Sequence, residues 1–272
     1  MSTTTVEELY GRFWDDEPYD EFNAVVSESL YPRGPEVLLD RFGDLGVRPG
    51  ELVLDIGGRD ACHAVDLVRR YDVRVLMIDP IPAHIARARE LITEAKADDR
   101  ITTDLGAIEQ LPLAAGTIDH VWCRDVLSHV DIKRALVECA RVLRPGGGML
   151  TYQTFGTKLL EPNESRKLTS ALAIHGVNMS ESYFASGARQ AGFRVILTDP
   201  IDSEWQEGWL EDGDPKVPAA LLQIARMRRM RDSLVQRYGE PRYEAMYAGS
   251  LWGVYQLLGK LCPTLHLLRK GH

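Results

Sequence analysis

The chain has 272 residues, 44% hydrophobic and 26% charged, enough to bury a full core as one large domain or as a domain with a substantial cap. Its 32 basic and 40 acidic side chains leave a net charge of −8, which excludes the global cationic field that draws proteins to nucleic acid or anionic lipid. Cys62, Cys123, Cys139 and Cys262 form no C-x-x-C pair, so a zinc knuckle or disulfide framework is not expected. They read as small buried fillers in a reducing compartment. The N-terminus is acidic and aromatic with no basic-then-apolar signal pattern, and no apolar run approaches the roughly 18 residues of a membrane span. A soluble, cytoplasmic protein is the expectation.

In chain order, residues 3–46 hold two or three helical segments. ELVLDIG reads as strand one, followed by a helix from about Arg59 through Val68 to Arg70. VRVLMID is strand two, and PIPAHIARARELITEAKA its crossover helix, with Pro82 suited to a first turn. RITTD makes a short third strand and TIDHVWCRDV a fourth. IKRALVECARVL predicts a helix with Leu136, Cys139, Ala140 and Leu143 on one face; the glycines of RPGGGMLTYQTF supply its left-handed stop before a fifth strand. ESYFASGARQAGF is a helix ending at Gly192, and FRVILTD a sixth strand. Residues 200–262 read as helices containing MRRMRDSLVQRYG and EAMYAGSLWGVYQLLGKL, and TLHLLRK as a returning edge strand. Apolar runs alternating with helices between about 50 and 199 imply an α/β fold with one open, mostly parallel sheet. The expected organisation is an N-terminal helical lid over 1–46, a core over 47–199 and a helical cap over 200–272, with the edge strand at 263–269.

In an open parallel sheet, ligands bind outside the carboxyl ends of the strands where strand order reverses. Asp55 to Asp60 sits at the end of strand one. Gly57 and Gly58 remove side chains there, so backbone amides can approach a ligand, and the helix start offers its positive end to a carboxylate. Asp79 closes strand two about 20 residues beyond the glycine turn, where an acid can accept both hydroxyls of a ribose. The same residue could instead cap the helix of PIPAHIARARE. The G-x-G-x-x-G fingerprint of a dinucleotide site is absent, and no Tyr-x-x-x-Lys pair follows strand four, which argues against a nicotinamide reductase.

LDIGGRDACHA, MIDP, AIEQLPLAAGTIDHVW, CRDVLSHV and ARVLRPGGGML follow one another in an order that resembles the class I S-adenosylmethionine-dependent methyltransferases, in their small-molecule (methyltransferase type 11-like, natural-product tailoring) branch. The resemblance covers about residues 50–199. Each motif alone is weak, but the ordered set is specific. It implies a doubly wound, Rossmann-like sheet of seven strands with helical N-terminal and C-terminal cap additions. The implied cofactor is S-adenosylmethionine, with S-adenosylhomocysteine as product. By resemblance, Asp55 and the backbone at Gly57 and Gly58 line the methionine part and Asp79 holds the ribose, with Pro80 beside it. Ile81 and Ile108 sandwich the adenine, while Leu111 and Leu113 pack in the core. Arg59 and Ala61 stand where the family's D-x-G-x-G-x-G carries its second and third glycines, and Ala107 where an acid is usual. Arg59 could block the site or fold away to reach the cofactor carboxylate or Asp60. Ala61 is tolerated if its backbone is helical.

Arg124, Asp125, Ser128 and His129 follow strand four, where the family places residues near the methyl group. Arg124 and Asp125 contact cofactor or substrate, or form a surface ion pair. His129 is the candidate general base, with Asp125 beside it as the other catalytic candidate; alternatively His129 fixes its loop by bonding to backbone. His175 is placed in the acceptor pocket and His63 as packed or solvated. The pocket itself is expected from Tyr10, Phe13, Trp14 and Tyr19 together with Trp205, Trp209, Tyr243, Tyr247 and Trp252, aromatics able to stack on a ring or surround a cationic amine. For Trp252, Tyr255 and Leu258, helical packing is the stronger reading, and RMRRMR reads as a solvated face with its methionines inward. No metal is expected, since no His, Asp or Glu pair at i, i+4 and no cysteine cluster occurs. The expected activity is methyl transfer to an oxygen or nitrogen of a small, secondary-metabolite acceptor, with homo-oligomer formation left open. The alternatives are a fold that binds the cofactor without transfer, or a non-catalytic binding or regulatory module with a degenerate loop.

Overall fold

The computed structural model describes residues 4–14 and 17–271. It divides into two compact units, Met1–Pro32 and Arg33–His272. In the first, α1 (Val6–Glu8) runs into a π-helical turn at Leu9–Phe13, and α2 (Glu17–Ser27) follows. Thr5 and Glu8 close α1 with a capping box. This unit is shorter than the expected lid, because α3 (Val37–Gly43) belongs to the larger unit and buries Val37, Leu38 and Phe42 in its core.

The larger unit continues with β1 (Leu52–Ile56), α4 (Cys62–Tyr71), β2 (Arg74–Asp79), α5 (Pro82–Glu94), β3 (Ile101–Leu105), β4 (Ile118–Arg124), α6 (Ile132–Val142), β5 (Leu143–Gly156), α7 (Pro162–Ala171), α8 (Glu181–Gln190) and β6 (Phe193–Pro200). The cap helices α9 (Glu204–Glu211), α10 (Lys216–Arg229), α11 (Arg231–Tyr238) and α12 (Glu240–Leu257) precede β7 (Leu261–Lys270). All seven strands form one sheet in the order β3-β2-β1-β4-β5-β7-β6. The expected seven-stranded, mostly parallel architecture is present. Alternation along β1 serves both faces: Val53 joins the cluster covered by α3, α4 and α5, while Leu54 and Ile56 join the cluster covered by α6 and α8. A strand buried on both sides needs the near-continuous apolar run that LVLDI supplies.

Several local expectations change. β7 is not an edge strand: it pairs antiparallel with β5 and with β6 and lies between them, burying Leu265, Leu267 and Leu268. α4 begins at Cys62, since Arg59 and Ala61 both hold left-handed backbone angles. α6 stops because Leu143 turns to the extended conformation and starts β5; the left-handed Gly146 lies beyond, inside that strand. Met227 is half-buried but Met230 is exposed, so the methionines of the basic run do not both turn inward. Leu258 falls one residue past α12 and is exposed, whereas Trp252 and Tyr255 pack on Leu168, Ile174 and Leu261. Of the cysteines, Cys123 and Cys139 are buried, Cys262 is half-buried and Cys62 is exposed.

Candidate active site

Sequence neighbours β1 and β2 extend the sheet one way and β4 the other, so strand order reverses between β1 and β4, where Asp55 sits opposite Trp122. A crevice must open at the carboxyl ends of such a pair. A cavity of about 700 Å³ lies there, lined by Asp55, Gly57, Gly58, Arg59, Asp60, Cys62, His63, Ile81, His84, Trp122, Arg124, Asp125, Val126 and His129. Its volume is within the roughly 300–1,000 Å³ of small-molecule sites.

The loop after β1 is held by the amide of Gly57, which donates to the carbonyl of Ile78 at 2.7 Å. Its glycines serve packing inside the protein: a Cβ at Gly57 would collide with Val126, and one at Gly58 would lie 2.5 Å from both Asp55 Oδ2 and Met77 Cγ. Gly57 also has a φ of 69°. Arg59 (φ 53°) and Ala61 (φ 66°) adopt the same left-handed region without the freedom of glycine, at roughly 1–2 kcal/mol per residue. The helical backbone expected for Ala61 is therefore wrong. Its carbonyl accepts the first α4 bond from the amide of Val65, and the left-handed angle brings the chain round to that position. Arg59 does not plug the cavity from within. The residue is exposed, and its guanidinium has no hydrogen-bond partner among the described residues, while its amide donates to Asp79 Oδ2 at 3.2 Å.

Asp79 is buried and is itself absent from the cavity wall, although Arg59, Ile81 and His84, which bond to it, line the cavity. Its Oδ1 accepts from the amide of Ile81 at 2.8 Å and pairs with His84 Nδ1 at 3.0 Å. The N-cap of α5 is Ile81, with no side-chain cap, so Asp79 serves the amide of the cap residue and not the first-turn amides. Asp55 is buried with Oδ2 unpartnered. Burial, then the charges of Asp79 and Asp60, push its carboxyl up to about 7. An orphaned carboxylate oxygen on a residue that lines the cavity suits an ammonium group, and the adjacent glycine turn leaves room for a slender chain. The residues thus fit the amino-acid end of the expected cofactor. Pro80 is exposed between β2 and α5, and Ile81 is 46% exposed at the cavity rim. Ile108 instead lies in the core with Leu54, Ile56 and Ile78, and it is absent from the cavity wall. Leu111 is buried and Leu113 packs beside it.

On the β4 side, Asp125 has a left-handed φ of 57° and sits 3.4 Å from Arg124 Nε. Arg124 Nη1 lies 2.8 Å from His63 Nε2, and burial followed by the Arg124 charge pushes His63 down to about 4, so its ring is neutral and accepts. His63 is thus a cavity residue and not a solvated one. His129 Nδ1 lies 3.0 Å from the carbonyl of Ala173. A carbonyl only accepts, so Nδ1 is the donor, and in the neutral ring the lone pair is then on Nε2. Backbone bonding, one of the two alternatives read from the sequence, is present on this ring, and it occupies Nδ1 alone. Ser128 is buried, with its carbonyl accepting from the amide of His175, and neither Ser128 nor the exposed His175 lines the cavity. The loop is clamped by Asn178, whose Nδ2 donates to the carbonyls of Leu127 and Val130, both at 2.8 Å. Sequence reasoning missed Asn178 and His84. An acid beginning a crossover helix with a histidine five residues on was the only available signal for the latter.

The expected acceptor aromatics separate. Tyr10 and Trp14 meet edge to face at 5.0 Å within the N-terminal unit, to which Tyr19 also belongs; the side chain of Phe13 lies outside the described residues. Trp205 stacks on Tyr152 at 4.7 Å, and Trp209 lies under Lys216 Nζ. Tyr243 and Tyr247 stack at 5.9 Å in a second cavity of about 800 Å³, walled by α7, α11 and α12 with α10 contributing Arg228. That cavity is larger than the first and shares no lining residue with it. Among the described residues no helix is long and apolar enough to cross a membrane, and no His, Cys, Asp and Glu cluster could hold a metal ion.

A family model for a methyltransferase domain matches residues 54–151. The chain is 27% identical over 211 residues to the 27-O-demethylrifamycin SV methyltransferase of Amycolatopsis mediterranei (strain S699), covering 75% of this chain and 72% of that protein. It is 26% identical over 178 residues to the erythromycin 3''-O-methyltransferase of Saccharopolyspora erythraea, covering 61% of this chain and 58% of that protein. Among solved structures it resembles the geranyl diphosphate C-methyltransferase from Streptomyces coelicolor A3(2), in complex with Mg2+, geranyl diphosphate and S-adenosyl-L-homocysteine. The TM-score is 0.64 at 13% identity, with 99% of this chain and 87% of that chain covered. With a sheet that reverses at β1 and β4 and a glycine turn beside the crevice, the chain carries a methyltransferase domain over residues 54–151 and is similar to methyltransferases that act on small molecules.

Proposed function

We propose that the protein transfers a methyl group from S-adenosylmethionine to an oxygen or nitrogen of a natural-product acceptor, with His129 as the base. The observation that carries this is the tautomer of His129: the Ala173 carbonyl holds the Nδ1 proton and leaves Nε2 free to accept a proton in a cavity with the cofactor residues. The similarity to the 27-O-demethylrifamycin SV methyltransferase and the erythromycin 3''-O-methyltransferase supports an acceptor hydroxyl.

In this reading Asp79 receives the ribose hydroxyls, Ile81 covers one face of the adenine, and Asp55 takes the ammonium while the amides of Gly57 and Gly58 border the tail. Ile108 does not line the cavity, so of the two residues expected to sandwich the ring Ile81 is the one on its wall. Bound S-adenosylmethionine supplies a sulfonium methyl group open to in-line displacement. The protein orients the acceptor along that line, excludes water and, through His129 Nε2, takes the hydroxyl or ammonium proton. Asn178 keeps the loop of His129 still while it does so.

A second reading, cofactor held without transfer, is favoured by Arg59 and Ala61, because this loop keeps the left-handed geometry at a cost that glycine would not incur. Calorimetric titration with S-adenosylhomocysteine, followed by transfer of labelled methyl across a panel of hydroxylated and aminated metabolites, separates the two. Binding with transfer supports catalysis; binding without transfer to any panel member favours the second reading; absence of heat removes both.

A further inference from the structure

Arg124 is the last residue of β4, and its guanidinium is held from three sides. Nη1 donates to His63 Nε2 at 2.8 Å. The Cζ atom lies 5.6 Å from the ring centre of Tyr152 and 5.3 Å from that of Trp205, and those two rings are stacked at 4.7 Å with 13° between their planes. Trp205 is buried and belongs to α9, the first cap helix, which enters the chain after β6. None of these three partners is anionic. The one carboxylate near the guanidinium, Asp125, is exposed and reaches only Nε at 3.4 Å, and Nη2 has no hydrogen-bond partner among the described residues. A fixed, half-buried cation with a vacant donor and weak neutralisation attracts a planar anion, and a guanidinium presents the matching fork.

We propose that Trp205 of the cap and His63 of α4 position Arg124 to receive the carboxylate of the cofactor's amino-acid tail, so that α9 sets how tightly the cofactor is gripped. The proposal rests on the cofactor reading above. Charge sorting within the cavity supports it. Asp55 and Asp60 suit the tail's ammonium, which leaves its carboxylate in need of a cation. Among the described residues Arg59 is the other arginine on the cavity wall, but its side chain is exposed and unheld, so binding would have to immobilise it. Arg124 is already ordered, and that difference in preorganisation decides between them. Neutral His63 is suited to its task, since it accepts from the guanidinium without cancelling the charge. Trp205 and His63 act through Arg124, hence as positioning residues.

The test compares two ligands by calorimetric titration of the full chain: S-adenosylhomocysteine, which has the tail, and 5′-methylthioadenosine, which keeps the nucleoside and thioether but lacks the amino acid. Arg124→Gln is expected to weaken S-adenosylhomocysteine at least tenfold and to leave methylthioadenosine within twofold. Trp205→Leu should weaken only S-adenosylhomocysteine, by a few-fold, and Trp205→Phe, which restores an aromatic face, should recover most of that loss. His63→Ala should follow Trp205→Leu. Unchanged methylthioadenosine affinity shows in each case that the variant is folded. Equal loss of both ligands in Arg124→Gln, unchanged S-adenosylhomocysteine affinity in Arg124→Gln or Trp205→Leu, or failure of Trp205→Phe to recover it would overturn the proposal. Wild-type protein that binds neither ligand would overturn the cofactor reading itself, which is a distinct result.

Discussion

Two cavities of the larger unit are built on opposite plans. The one at the β1–β4 reversal is assembled from strand ends, the loops that follow them and the first turns of α4 and α5, and it collects carboxylates, imidazoles and two arginines. The cap cavity is walled by helix faces and collects tyrosines with Lys167, Arg228 and Arg231 around them. In the first, main-chain constraints fix the functional groups: an amide on Asp79 Oδ2, a carbonyl on His129 Nδ1, three left-handed residues. In the second, the contacts run from side chain to side chain: Tyr243 stacks on Tyr247, Arg231 lies over Tyr243, and the Tyr255 hydroxyl donates to Glu164 at 3.1 Å. Strand ends give rigid placement, which chemistry needs; helix faces give a large, adaptable surface, which suits recognition.

The largest effect should come from breaking the first cavity's chemistry. His129→Ala is expected to lower turnover by roughly 10²–10⁴-fold, the usual range for a general base, with S-adenosylhomocysteine affinity changed less than twofold. Turnover equal to wild type would reduce His129 to its bond with Ala173. Next in size is the buried acid. Asp55 has a folded-state pKa of about 7, above its unfolded value, so the folded chain binds the extra proton between those two values. Stability then falls as pH rises from about 4 to 7 and levels off above, by an amount on the order of a few kcal/mol. Urea midpoints for wild type and Asp55→Asn at pH 5 and pH 8 test this: the asparagine variant should gain relative to wild type at pH 8, and a constant difference would mean that Asp55 is ionised throughout. Asp79→Ala should weaken the cofactor product at least tenfold, about 1.4 kcal/mol, measured by the same titration. Unchanged affinity would leave Asp79 as a brace for the amides of Arg59 and Ile81 alone.

The cap arm of the comparison predicts a different signature. Tyr247→Ala should raise the KM of an active acceptor about fivefold, roughly 1 kcal/mol for a lost ring contact, without altering cofactor affinity. If cofactor affinity falls instead, the two cavities are coupled and the division of labour fails.

What could be read in the residues follows the same divide. LVLDI, RVLMID and IDHVWC announce their strands because burial on both faces demands unbroken apolar runs, and Asp55, Gly57, Gly58 and Asp79 are visible because strand ends have a fixed spacing from a glycine turn. The insertion of β7 between β5 and β6 was not visible, since an interior antiparallel strand and an edge strand share one pattern until their neighbours are known. Ile108 was misplaced for a similar reason: its position in the chain suits an adenine wall, but its side chain enters the core beside Ile78. His63, His84 and Asn178 escaped because each gains its role from a partner brought by the fold, Arg124 for His63, Asp79 for His84 and the carbonyls of Leu127 and Val130 for Asn178.

The smallest expected effect concerns the two residues that replace glycine in the loop, and it sharpens the claim that backbone geometry governs this cavity. Relieving a left-handed non-glycine residue returns roughly 1–2 kcal/mol, while the added freedom of glycine in the unfolded chain takes back about 0.4–1 kcal/mol. For Arg59, whose side chain is exposed, nothing else enters, and Arg59→Gly should stabilise by about 0.5–1 kcal/mol, a rise of roughly 2 °C in melting temperature. Ala61 is fully buried, so Ala61→Gly also forfeits a methyl group worth about 0.8 kcal/mol, and the balance should be close to zero. Thermal melts of the two variants side by side decide the matter. If Ala61→Gly stabilises as much as Arg59→Gly, burial of that methyl contributes little; if neither stabilises, the left-handed angles carry no strain and the loop's shape is held by its hydrogen bonds to Ile78 and Asp79 alone.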